Sequence, residues 1–207
     1  MLSDFEIKQN EDDFLHTLSL IEREDADTAG LYQFLESTDF FTAPASTKYH
    51  ANFKGGLCWH SLHVYMNLCK LADTFAPNKF SPDTLKIIAL FHDLSKADYY
   101  KMEEKYVNTG KKDFSGKTIW EKEPYYALRD SKQRLLMRDH EVNSYFLLSK
   151  YIKLTDEEAA AIMNHHGGWG LDSFKAGEVS AIYEKYTLAV LLHIADLLSV
   201  YVDERNE

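Results

Sequence analysis

Residues 188–198 constrain this chain more than any other stretch. They are apolar almost all round a helical wheel, yet they carry His193 and, at the centre, Asp196. A helix that is apolar on every face has to be surrounded by other elements. That places the Asp196 carboxylate in the interior, where an isolated charge is expensive. No Lys or Arg lies near it in the same helix. The compensating positive charge has to come from elsewhere, from a metal or from the basic middle of the chain.

The rest of the sequence supplies helices to surround it. Helical spacing runs over 14–24 and 28–37, the second with Asp27 as N-cap. Residues 57–75 form a long amphipathic run. Ser81-Pro82-Asp83 reads as an N-cap followed by proline in the first turn, opening a helix expected to reach about residue 95. A helix follows over 140–152. Thr155 and Glu158 form a capping box for a helix expected to stop near Gly167-Gly168. The last long helix is expected over 186–202. Residues 106–127 differ: Val107, Thr118, Ile119, Trp120, Tyr125 and Tyr126 flank a turn-like Asp113-Phe114-Ser115-Gly116, which predicts a β-hairpin. The expected fold is an all-α helical bundle with one small β-hairpin insertion at about 106–127. A length of 207 residues fits a single domain over 1–207. Within it, 1–39 form an acidic helical extension packed on a core of 40–207.

The net charge of −10 disfavours a sequence-blind groove for long nucleic acid. The charge is uneven: residues 1–39 carry −9, 40–95 carry +2, 96–138 carry +4 and 139–207 carry −7. The basic middle is either a solvated face or an anion site. Cys58 and Cys69 lie too far apart on one helical run to bridge, so they read as reduced thiols. The N-terminus lacks the basic start and apolar run of a signal peptide, and no window has the length of a membrane span. The expectation is a cytoplasmic protein with no membrane association.

The histidines and certain aspartates fall on the helices that must pack together: His60, His92-Asp93, His140, His165-His166 and Asp196. One buried histidine is more often a core residue than a ligand. A set mixing imidazoles and carboxylates suits divalent Mn, Fe, Ni, Co or Zn. Asp93 has two oxygens and can bridge two ions. Lys96, three residues on, lies on the same face, where an ammonium would hold a phosphate or offset charge in a transition state.

In the order His…His-Asp…Lys…His…His…Asp, these residues resemble the HD-domain metal-dependent phosphohydrolases. The resemblance implies a first metal position at His60, His92, Asp93 and Asp196. It implies a second at His140 and His165 with Asp93 shared, as in the superfamily's binuclear members. Lys96 falls where many members have His-Asp-x-Gly-Lys, with Ser95 in place of the glycine. Ala43-Pro44-Ala45-Ser46, His50, Gly55-Gly56-Leu57 and residues 191–196 are similar to the HD domain of bacterial 3′-to-5′ exoribonucleases. Those enzymes carry an OB-fold before the domain, whereas the first 40 or so residues here are acidic and helical. Residues 91–168 look like small standalone bacterial and phage HD hydrolases. Their single histidine near this point aligns with His165 and favours it over His166.

The expected function is therefore hydrolysis of a phosphoester, that of a nucleotide or related small phosphorylated substrate, by metal-activated hydroxide. One or two divalent ions would be bound by His60, His92, Asp93, His140, His165 and Asp196. Asp93 and Lys96 are the expected catalytic residues. Lys96, His50 and Trp169 are expected to bind substrate, Trp169 by stacking on a base. His193, one turn before Asp196, is read as supporting a ligand, and His63 and His16 as lying outside the ligand set. The rival readings are an exoribonuclease acting on short RNA, a non-catalytic nucleotide-binding module, and a di-iron oxygenase with a similar ligand set.

Overall fold

A computed structural model describes residues 1–135, 138–168 and 172–204. Among these the helices are α1 (Asp4–Ser19), α2 (Thr28–Glu36), α3 (Gly56–Phe75), α4 (Pro82–Phe91), α5 (His140–Leu148), α6 (Asp156–Met163), α7 (Ser173–Lys185) and α8 (Thr187–Leu198). An antiparallel pair, β1 (Tyr100–Lys112) and β2 (Thr118–Leu128), lies between α4 and α5. The expected helical bundle with one hairpin is the fold observed.

α3 is the hub, packing on α1, α4 and α8, while α6 packs on α5 and α8. The N-terminal segment shares this core. Phe14 of α1 is fully buried and meets Phe40, Phe41 and Phe91 edge-on at 5.0–5.7 Å between ring centroids. Edge-to-face packing suits the ring quadrupole. Both cysteines, Cys58 and Cys69, are free thiols. Among the described residues no single helix is long and apolar enough to cross a membrane.

Several boundaries differ from the sequence expectation, each for a tertiary reason. The first helix was expected over 14–24. It begins at Asp4, where Ser3 and Glu6 form a capping box. It ends at Ser19 because the following segment is drawn out of line: Glu22 N–H donates to Asp83 and Arg23 reaches Glu158. α4 stops at Phe91, not near 95. His92 caps it and the chain tightens into a 3₁₀ turn at Leu94–Lys96. α5 ends at Leu148, short of 152, since Ile152 leaves to bridge Ala26. α6 ends at Met163, before Gly167. The last helix is regular only to Leu198 and continues as a π-helical turn over Ser199–Asp203. α7 was not expected; Val179 is its one buried residue, so it carries little periodic signal.

The hairpin spans 100–128 rather than 106–127, with Tyr100 opposite Leu128. Its register slips between Asn108 and Lys112, where Gly110 takes φ +72°. At the turn the Asp113 carboxylate accepts from the Ser115 and Lys117 N–H groups, and Gly116 takes φ +82°. That conformation favours glycine. Beyond its root the hairpin packs on itself and is largely exposed.

Candidate metal centre

Five segments bring their polar groups to one buried point. α3 supplies His60. The end of α4 and the turn after it supply His92, Asp93 and Lys96. α5 begins with His140, the turn after α6 carries His165, and α8 carries Asp196. His60, His92, Asp93, Lys96, His165 and Asp196 are all buried, and the His140 side chain is 20% exposed.

Asp93 is central, and its two oxygens face different neighbours. Oδ1 lies 3.4 Å from Nε2 of His140 and 3.6 Å from Nε2 of His165. Oδ2 lies 3.5 Å from Nε2 of His92, 3.8 Å from Nε2 of His60 and 2.7 Å from the Lys96 ammonium. The Asp196 carboxylate that the sequence left without a partner sits 3.1 Å from Nε2 of His60. Nε2 atoms of His60 and His92 approach to 3.2 Å. Donor atoms of His60, His92 and Asp196 all fall within 4.8 Å of one another, as do those of His92, Asp93 and His165.

The outer nitrogens of these rings are fixed by the backbone. Nδ1 of His92 donates to the Ala89 carbonyl at 2.8 Å, and Nδ1 of His165 donates to the Ile162 carbonyl at 2.7 Å. A proton on Nδ1 leaves Nε2 with a lone pair aimed inward, the arrangement that orients a ligand histidine. Nδ1 of His60 meets Ser199 Oγ at 3.1 Å. Three buried atoms at the centre have no hydrogen-bond partner: Asp93 Oδ1, His140 Nε2 and His165 Nε2. Native proteins rarely orphan buried polar atoms, and a divalent cation among these nitrogens and oxygens would satisfy all three. The donor set therefore fits a metal.

The electrostatics differ from ring to ring: burial lowers the His165 pKa, but Asp93 outweighs it and raises it. Burial pushes the His92 and His140 imidazoles down to about 3, so both are neutral near pH 7. Burial also opposes ionisation of Asp93, but Lys96 and the surrounding imidazoles outweigh it and hold its carboxyl well below the usual range. Asp196 is likewise lowered: the His60 hydrogen bond overcomes the cost of burial. Burial works against the Lys96 charge, yet Asp93 raises its pKa and keeps it protonated.

Other residues expected near the site divide clearly. His50 stands beside His60, with ring centroids 5.1 Å apart. Gly56 allows this, because a Cβ there would overlap the Ala51 carbonyl. His193 supports the centre through Nδ1, which donates to the His165 carbonyl at 2.5 Å. His63 is turned away, stacked on Trp59 at 3.8 Å. His16 is exposed. Trp169 lies outside the described residues.

Two features escaped the sequence reading. Glu141 stands between two rings, its Oε1 3.1 Å from Nδ1 of His166 and its Oε2 3.2 Å from Nδ1 of His140, the latter oxygen making no hydrogen bond. An acid in the first turn of a helix is ordinary dipole compensation, which hid it. The second is the pair Ser95 and Ser144, whose hydroxyls lie 3.1 Å apart. Only the fold brings these two positions together.

Comparison with known proteins agrees with this geometry. The family model of the HD domain matches residues 59–201, which includes every donor described above except His50. No curated protein and no solved structure matches the chain.

Proposed function

We propose that this chain, which belongs to the HD-domain family, is a metal-dependent phosphohydrolase acting on a small phosphorylated substrate, a nucleotide. The carrying observation is Asp93: one carboxylate with its two oxygens turned toward two groups of imidazoles, beside a buried lysine. His60, His92, Asp93 and Asp196 would hold one divalent ion. Asp93, His140 and His165 would hold a second. A bound divalent ion lowers the pKa of water and offsets phosphate charge.

The chain's own residues do the remaining work. Asp93 sets the spacing between the two donor groups. The Ala89 and Ile162 carbonyls hold His92 and His165 in the tautomer that presents Nε2. Lys96 keeps a fixed positive charge in a buried site, where a preorganised charge acts most strongly on a developing anion. His193 keeps the backbone of His165 in place, and Glu141 sets a negative charge beside His140. A complete donor set together with Lys96 favours catalysis over a non-catalytic nucleotide-binding role.

The test is metal analysis of the purified chain together with a hydrolysis screen of mononucleotides, cyclic nucleotides and short RNA. Divalent metal in the protein and phosphate release lost on chelation would support the proposal. No hydrolysis of any substrate after reconstitution with Mn, Fe, Ni, Co or Zn would overturn it.

A further inference from the structure

We propose that the free edge of β1 pairs with β1 of a second copy of this chain, joining two hairpins into one four-stranded antiparallel sheet across a twofold axis. The pairing is independent of the chemistry at the metal centre.

The hairpin calls for more strands than its own. Among the described residues its sheet has only β1 and β2. Beyond the root the two strands pack on each other and not on a helix. An isolated pair of strands is marginal in water, and further strands stabilise it. Side chains alternate between faces along a strand. Met102 and Tyr106 therefore share one face of β1, where they are 55% and 66% exposed. Trp120 of β2, opposite Asn108, stands on the same face at 57%.

The two outer edges are not equivalent. β2 carries Pro124 opposite Glu104. Proline has no N–H, and within a strand its nitrogen stands toward the free edge. The outer edge of β2 therefore lacks a donor near its middle. β1 contains no proline, so its outward N–H and C=O groups form an unbroken template for another strand.

The register follows from the strand's own irregularity. The ladder with β2 is regular from Tyr100 to Asn108 and then slips, where Gly110 takes φ +72°. A bulge bends an edge out of line, so the straight edge ends at Asn108 and the tip stays outside the pairing. Antiparallel pairing of Tyr100–Asn108 with its own copy puts Glu104 on the twofold axis. Met102 then lies opposite Tyr106 of the second copy, and Glu103 opposite Lys105, each twice. Charge agrees with that register. Among the described residues Lys105 makes no ion pair: Glu123 lies across from it on β2, yet the ammonium rests over the Tyr125 ring, 5.2 Å from its centroid. Opposite charges directly across a ladder attract. Each Glu104 at the axis is already held by Lys122 of its own β2 at 2.8 Å, so the two carboxylates do not meet bare. Met102 against Tyr106 gives each exposed thioether a ring to cover it. Composition selects the occupant. Residues 100–128 hold six lysines against five acids, a poor match for a phosphate backbone but a good match for a second copy of the same strand.

The experiment is analytical ultracentrifugation of the full chain over a dilution series reaching high micromolar concentration, where the parent should sediment as a dimer. Glu103→Lys and Lys105→Glu each set like charges opposite one another twice and should weaken the dimer roughly tenfold. Both substitutions in one chain restore opposite signs and should recover it. Register is read by cross-linking. In Glu104→Cys the two thiols face each other at the axis, with Cα atoms about 4.5–5.5 Å apart, within reach of a disulfide. Mild oxidation should give a covalent dimer. In Tyr106→Cys the two positions are about 14 Å apart and should not join. The parent, with Cys58 and Cys69, sets the background. A parent that is monomeric at every concentration overturns the proposal. So does a dimer that ignores the charge variants, or one that cross-links through Tyr106→Cys and not Glu104→Cys. A monomer that binds oligouridylate RNA, and loses it in Lys105→Glu, would assign the hairpin to nucleic acid instead.

Discussion

Ser95 Oγ donates a hydrogen bond to the main-chain carbonyl of His140 at 2.8 Å. The Ser95 N–H in turn donates to Ser144 Oγ at 3.1 Å. The turn that bears Asp93 and Lys96 is thereby fastened to the helix that opens with His140. Ser95→Gly, which restores the glycine common in the resembling motif, removes the hydroxyl's bonds to the His140 carbonyl and to Ser144, keeps the N–H bond to Ser144 and leaves every donor in place. Metal affinity should fall about tenfold, the lower end for losing an outer support. Competition with a chelating dye would measure it, and unchanged affinity would show that the serine is incidental.

Lys96→Met should separate stability from chemistry. The lysine and Asp93 form a buried pair at 2.7 Å. Removing one partner leaves an uncompensated charge, costing about 3–5 kcal/mol in the metal-free protein. Metal should restore much of that, because it supplies the missing positive charge. Thermal unfolding with and without metal would show a wider gap between the two states than in the parent. Metal content should hold, while the hydrolysis rate should drop by roughly 10²–10³.

Asp93→Ala should lose metal and activity together. Its oxygens face both groups of imidazoles, whereas His140 and Asp196 each belong to one group. Elemental analysis should therefore find less metal in Asp93→Ala than in either His140→Ala or Asp196→Ala. Equal losses in all three would argue against Asp93 as the shared ligand.

Glu158 is a stability determinant remote from the centre. Its side chain is buried and accepts from Arg23 at 2.7 Å, from Thr84 at 2.8 Å and from the Thr155 N–H at 2.9 Å. It pins the segment after α1, the start of α4 and the start of α6. Glu158→Ala should destabilise the chain by about 3–5 kcal/mol in denaturant titration, since partners of a buried ionic network are left unmatched. Activity per folded molecule should be unchanged.

The helices and the donor residues were legible for one reason. Apolar spacing marks a buried face, and a His or Asp on such a face is conspicuous because burial penalises it. Asp196 shows this best. Helix ends were harder, because they are decided by distant partners: Ala26 draws Ile152 out of α5, and Glu158 draws Arg23 away from α1. α7 left almost no trace, since one buried valine makes no stripe. Ser95 was visible only as a departure from a motif. Its role depends on Ser144, 49 residues away, and on a carbonyl, which no side-chain pattern reports.

The outer half of the hairpin answers to almost nothing but its own two strands. The packing that fixes each helix to its neighbours does not reach Phe114 or Ser115 at its tip, and both are exposed. Exposed tips of this kind tolerate insertion. This is the place where the chain can be lengthened, shortened or spliced without disturbing the bundle. A reporter peptide inserted between Phe114 and Ser115 would ride on the protein as a handle, leaving the metal centre as it was.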